Sequence, residues 1–255
     1  MSYGKVWTHP LQAIYDSLVA IPDIHLAAAD PLACPELTRV RQELKRLSLQ
    51  DVGLTTKVDE VVKIPMCTTV YQCDAFALCV FLLPPGQSLP LHDHPHMAVL
   101  SHILRGRLSL RAYSAVDGRD GCFAGATCRL TTVTDVSAGA VESPSEPWLL
   151  TPTHNNVHSF TSTHATQCCV VFDVLLPPYS SSVTESGRAG SDHEIRVCTY
   201  YEAQPVVVND RDGETNGGED KNGGSEGLVK LREVVPTGPL PGGFAYSGMT
   251  LKLHS

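Results

Sequence analysis

Two histidines one residue apart carry the clearest chemistry in this chain: His92 and His94 in Pro90-Leu91-His92-Asp93-His94-Pro95. On a strand, side chains alternate between faces, so the spacing predicts His92 and His94 on one side and Asp93 on the other. Two imidazoles on one face can hold one metal ion, and a third would make the site tight. His158 is the candidate for that place, in Thr151-Pro152-Thr153-His154-Asn155-Asn156-Val157-His158. His154 competes with it, but its position in a turn ahead of two asparagines suggests a solvent-facing role. His96, His102 and His164 read as structural or exposed. Asp173 is a second point of interest, a carboxylate inside the apolar run Val170–Leu175. A charge there is costly unless paired, so it is either a satisfied structural carboxylate or a functional group.

The elements that must position these residues are mostly strands. Residues 10–21 read as a short helix with Leu11, Ile14, Tyr15 and Leu18 on one stripe, and residues 36–47 as a second with Leu37, Val40, Leu44 and Leu47. The stretch 23–35, interrupted by Pro31 and Pro35, reads as a loop. From residue 59 the pattern becomes short strands, at 67–73, 75–83, 98–104, 107–114, 127–133, 147–151, 166–176, 196–202, 229–235 and 245–253. Glycines such as Gly86, Gly106, Gly121 and Gly139 supply turns. The expected organisation is an N-terminal helical segment over 1–58 packed on a barrel over 59–255. Within the barrel, the Gly/Asn/Asp/Glu tract 209–227 is expected to be a mobile surface insertion. Residues 180–195, rich in Ser, Gly and charge, also break the rhythm.

Composition narrows the classes. The chain has 255 residues, 42% hydrophobic and 18% charged, which permits a sizeable core. A formal net charge of -8 argues against nucleic acid or an anionic membrane as the main partner. The opening Met1–Trp7 does not read as a signal peptide, and no apolar stretch is long enough to span a bilayer. Nine scattered cysteines without a C-x-x-C pair fit a reduced compartment, most of them as small core residues. The expected compartment is the cytoplasm, or also the nucleus, and a monomer is expected.

The spacing Gly86-x5-His92-x-His94, followed by Gly106, resembles the first motif of the cupin superfamily, small β-barrels with a metal in the mouth. The Thr151–His158 stretch is a looser match to the second. The resemblance implies a mostly β fold, a cupin-type double-stranded β-helix (jelly-roll) barrel with short N-terminal helices. Cupins usually place a glutamate four or five positions after the second histidine, where this chain has Ala98 and Val99. The implied site is then three neutral imidazoles with no carboxylate. Such a set leaves a divalent ion its full charge and favours anionic ligands such as thiolate. It also leaves up to three open positions on a six-coordinate metal. Zinc would more often be four-coordinate with one water, and raw affinity does not separate it from ferrous iron.

Longer motifs sharpen the resemblance. Asp51-Val52-Gly53-Leu54, Leu83-Pro84-Pro85-Gly86, Leu89–Pro95, Asn156-Val157-His158-Ser159-Phe160, Phe172-Asp173-Val174-Leu175-x-Pro177-Pro178-Tyr179 and Cys198-Thr199-Tyr200-Tyr201 are similar, in order, to the thiol dioxygenases. The branch is that of the plant cysteine oxidases and 2-aminoethanethiol (cysteamine) dioxygenase. The resemblance implies Fe(2+) on His92, His94 and His158, and addition of both atoms of O2 to a thiol to give a sulfinic acid. The implied substrate is an N-terminal cysteine of a peptide or protein, whose oxidation creates an oxygen-dependent N-degron; cysteamine is the alternative. It also implies that Asp173 and Tyr179 line the active site. Asp173 would anchor the substrate amine or a neighbouring group, and Tyr179 would donate a hydrogen bond near bound oxygen. Three departures stand out: His96 where the family has glycine, and long stretches at 180–195 and 209–227. His96 is expected to narrow the mouth or add a polar contact. A Cys198 crosslink to Tyr200 or Tyr201 is left open. Competing functions are a zinc or manganese cupin isomerase or hydrolase, and a non-catalytic cupin that binds a ligand.

Overall fold

The computed structural model describes residues 9–138, 145–180, 196–206, 227–237 and 240–243. Gly139, residues 181–195, nearly all of 209–227 and the strand expected at 245–253 lie outside these. Four α-helices come first: α1 Pro10–Val19, α2 Ile24–Ala29, α3 Pro35–Leu44 and α4 Val58–Val61. Twelve strands follow: β1 Met66–Gln72, β2 Ala77–Leu83, β3 Ser88–His92, β4 Ala98–Arg105, β5 Arg107–Ala115, β6 Thr127–Ser137, β7 Trp148–Leu150, β8 Val157–Ser162, β9 Cys169–Leu176, β10 Tyr201–Pro205, β11 Leu228–Glu233 and β12 Gly242–Gly243.

Proline at the first turn starts both α1 and α3, where the missing N–H is no loss. The stretch 23–35 is not all loop: α2 lies inside it. The Asp23 carboxylate accepts from the amides of His25 and Leu26, both at 3.0 Å. That N-cap starts one and a half turns on Ala27, Ala28 and Ala29 before Pro31 intervenes. Strands β8 and β12 and the single turn of α4 were not expected; β3 is the strand on which the histidine spacing placed His92, and it ends there. Strand β10 begins at Tyr201 rather than near residue 196.

The strands form two six-stranded sheets, β12-β1-β2-β9-β4-β7 and β10-β11-β6-β5-β8-β3. Strand β9 sits in the first sheet between β2 and β4, and all eight of its residues are buried. Its alternation decides which layer each residue joins. Val170, Phe172, Val174 and Leu176 face outward and pack with Leu11, Ile14 and Leu18 of α1 and Leu37, Val40 and Leu44 of α3. Cys169 and Val171 face the second sheet, meeting Leu108 and Leu110 of β5 and Phe160 of β8. Each such buried side chain contributes about 1.5–3 kcal/mol of burial free energy. The result is a cupin-type double-stranded β-helix with helices laid on the outside of one sheet. Gly106 makes the β4–β5 turn at φ 81°, where a Cβ would lie 2.9 Å from the Cys168 carbonyl oxygen.

Candidate metal centre

Two of the three histidines meet because of strand register. Strands β3 and β8 run antiparallel at one edge of the second sheet, with His92 directly opposite His158. His94 arrives differently. Strand β3 stops at His92, so His94 lies in the loop beyond it and strand alternation does not place it. Asn156 does. Its Oδ1 accepts from the His94 amide at 2.9 Å, and its Nδ2 donates to the His94 carbonyl at 2.7 Å. Asn156 is fully buried and stands two residues before His158, so one side chain ties the loop to the strand that carries the third histidine.

The three rings converge. Centroids of His92 and His158 are 4.5 Å apart, and each lies 5.0 Å from that of His94. One nitrogen from each lies within 4.8 Å of the others. This is the one such group of His, Cys, Asp or Glu among the described residues, and no carboxylate belongs to it. Burial disfavours the charged form of all three imidazoles and pushes each down from its ordinary value.

Hydrogen bonding leaves each ring a free nitrogen. His92 Nδ1 lies 2.8 Å from the Pro90 carbonyl and donates to it, which frees Nε2. The Tyr179 hydroxyl donates to the Asp93 carbonyl at 2.6 Å. A hydroxyl has one proton, so its 2.8 Å contact with His94 runs from His94 Nδ1–H to the Tyr179 oxygen. His94 Nε2 is then a lone pair, buried and without a partner. The His158 ring bonds the Asn156 backbone, and its Nδ1 is likewise buried and unpartnered. Three imidazole nitrogens within 4.8 Å of one another, on rings two of which carry a buried unpartnered nitrogen, are what a divalent metal satisfies, so these residues fit one.

Beside the histidines is a cavity of about 190 Å³, walled by Phe81, Leu89, Asp173, Leu175, Tyr179, Cys198 and Tyr200 among others. Asp173 opposes Cys79 of β2 and Ser101 of β4 across the sheet. Ser101 bonds its carboxylate, Oδ1 has no partner, and burial pushes the group up to about 7. Tyr179 is in the cavity wall, with its hydroxyl engaged on His94.

His154 is exposed and its ring stands 3.5 Å from Ser114, outside the cluster. His102 is buried on β4, and His164 is half-buried. His96 takes φ 58°, and its amide and Nδ1 both bond Asp120 at 2.8 Å. Its side chain turns to Asp120 and Gly121 rather than to the cavity. The sequence reading missed Asn156 and Asp93, whose partners lie 62 and more than 80 residues away.

The family model PCO_ADO matches residues 37–239. Plant cysteine oxidase 2 of Arabidopsis thaliana is 32% identical over 224 residues, 84% of this chain and 73% of its own length. A probable 2-aminoethanethiol dioxygenase of Dictyostelium discoideum is 33% identical over 137 residues, 53% of this chain and 54% of its own. The human 2-aminoethanethiol dioxygenase is 26% identical over 67% of this chain and 66% of its own length. The chain thus spans about half to three quarters of the length of these relatives. A cupin superfamily protein of Desulfitobacterium hafniense aligns over 52% of this chain and all of its own, at 12% identity and TM-score 0.32. With 203 of its residues matched by one family model, this chain belongs to the PCO_ADO family, the thiol dioxygenases that include the plant cysteine oxidases and the 2-aminoethanethiol dioxygenases.

Proposed function

We propose that the chain is an Fe(II)-dependent dioxygenase that converts an N-terminal cysteine of a peptide or protein to cysteine sulfinic acid. The observation that carries the reading is the buried cluster of three imidazoles without a carboxylate, beside a cavity holding Asp173. His92, His94 and His158 would hold the iron. When bound, the ion supplies thiolate binding and dioxygen activation. The reaction balances as R–SH plus O2 giving R–SO2H, with the sulfur as the sole electron donor, so no external reductant enters.

The protein's own part is placement. Tyr179 keeps the His94 proton on Nδ1, so its other nitrogen always faces the centre. Asp173 offers an unpartnered carboxylate oxygen to the substrate's ammonium group. Phe81, Leu89 and Leu175 keep bulk water from the sulfur.

The cavity suits one cysteine residue or one molecule of cysteamine. A polar groove of about 760 Å³, lined by Gln72, Asp74 and Arg196, shares Tyr179 with it. That extra room supports a peptide, whose later residues would lie there, over the small thiol. Control of an oxygen-dependent N-degron in the cytoplasm or nucleus, by a monomer, completes the reading; nine unpaired thiols suit a reducing compartment. The test is mass spectrometry of Cys-initiated peptides and cysteamine after aerobic incubation with the iron-loaded protein. A gain of about 32 Da on the peptide, two oxygen atoms, supports it. Turnover of cysteamine alone would move the assignment to the aminothiol, and turnover of neither would end it.

A further inference from the structure

Asp93 stands between two of the histidines and is 1% exposed. It belongs to no metal cluster, yet it makes four hydrogen bonds to two distant segments. Its amide donates to the Thr199 carbonyl at 3.2 Å, and its Oδ1 accepts from the Thr199 amide at 2.8 Å. Its Oδ2 accepts from the Tyr201 hydroxyl at 2.8 Å, and its carbonyl accepts from the Tyr179 hydroxyl at 2.6 Å. The segment it grips is extended, so its residues alternate. Thr199 and Tyr201 turn toward Asp93, while Cys198 and Tyr200 turn into the cavity. Tyr200 bridges His92 across the edge of β3, with ring centroids 6.1 Å apart.

From this geometry we infer that Asp93 is a positioning residue: its carboxylate hangs the Cys198–Tyr200 wall of the cavity at a fixed height over the histidine cluster. The inference rests on the proposed thiol dioxygenase reading for its catalytic consequence, though not for its structural one. Removing the carboxylate leaves the Thr199 amide and the Tyr201 hydroxyl with no acceptor in a buried setting. The wall then shifts away from the cavity it closes. A displacement of about 1 Å at a wall that contacts substrate costs up to about 100-fold in kcat/KM, here chiefly through KM.

The variants are Asp93→Ala, Asp93→Asn and Tyr201→Phe, each loaded with Fe(II) and checked for one metal per chain. In Asp93→Ala, amide hydrogen exchange across residues 196–202 accelerates at least tenfold, while β4 and β9 exchange as in the parent. KM for the thiol that the parent oxidises rises at least tenfold, with kcat within threefold. Asp93→Asn keeps an acceptor for the Thr199 amide and restores most of both values. Tyr201→Phe falls between, and decides the matter if Asp93→Ala does not fold. Unchanged exchange at 196–202, or equal acceleration over the whole chain, overturns the inference, as does a KM within twofold of the parent. If the parent oxidises no thiol, the functional reading has failed, and the exchange data still decide whether Asp93 holds the wall.

Discussion

Replacing Tyr179 by phenylalanine removes one oxygen and leaves two groups without a partner. The Asp93 carbonyl loses a donor at 2.6 Å, and the His94 Nδ1–H loses its acceptor at 2.8 Å. The His94 ring is 3% exposed, so water does not replace the lost oxygen. A buried polar group left unpaired costs about 1–3 kcal/mol. In the folded apo-protein that cost lowers stability, and for a chain of this length each kcal/mol is about 2–4 °C in Tm. The ring also gains freedom to turn or to move its proton to Nε2, the nitrogen the metal needs. Loss of a partner behind a metal-binding histidine typically weakens the metal about 10–100-fold. Anaerobic competition of Fe(II) between the protein and a chromophoric chelator measures this directly. We expect Tyr179→Phe to bind at least tenfold more weakly and to melt a few degrees lower. A folded variant whose Fe(II) affinity stays within threefold of the parent would refute the assignment of Tyr179 as the group that orients His94.

Further outcomes follow from the same geometry. Because burial raises Asp173 to about 7, its carboxylate forms as pH rises through that region, so kcat/KM should climb along an acid limb centred no higher than about 7. Asp173→Asn should flatten that limb and raise KM at least tenfold; an unchanged pH profile would exclude the carboxylate from substrate binding. Burial lowers His102 to about 4, below the 6.5 of an exposed histidine, so the unfolded chain binds its proton first. Its stabilising contribution is complete above pH 6.5 and is lost toward pH 4, by about 1–3 kcal/mol. Denaturant melts of His102→Leu should therefore vary less over this range than the parent, and parallel curves would disprove the point. Asp120→Ala should cost about 1–2 kcal/mol by releasing both bonds to His96. Adding His96→Gly should recover part of it, since glycine holds φ 58° without strain. A double variant no more stable than Asp120→Ala would show that the left-handed backbone is not what Asp120 supports.

Much of the site was legible in the sequence, though not always for the reason first given. His92 and His94 were expected to share a face of one strand, but β3 ends at His92 and a buried asparagine sets His94. His92, His94 and His158 still come together in the fold, because the loop beyond β3 brings His94 to the same point by another route. Strand β8 was overlooked because Val157-His158-Ser159-Phe160-Thr161-Ser162 has apolar residues only at 157 and 160, so no period-two alternation marks it. Helix α2 was hidden by flanking prolines, although Asp23 supplies the cap that starts it. Asn156 and Asp93 act only through contacts made across the fold, and no local pattern announces them. The Tyr179 motif likewise gave no sign that its hydroxyl bonds His94 and the Asp93 carbonyl, partners more than 80 residues away.

The pairing of His92 with His158 has a consequence for how the molecule matures. Strand β3 is the outermost member of its sheet, held on one side by β8 alone apart from a single bridge to Tyr200. Such a border element can mispair, and sliding by one position would carry His92 to the opposite surface. A cation that captures both rings rewards only the correct alignment. Metal uptake at these histidines would thus act as a proofreading step, fastening this edge strand in its correct alignment.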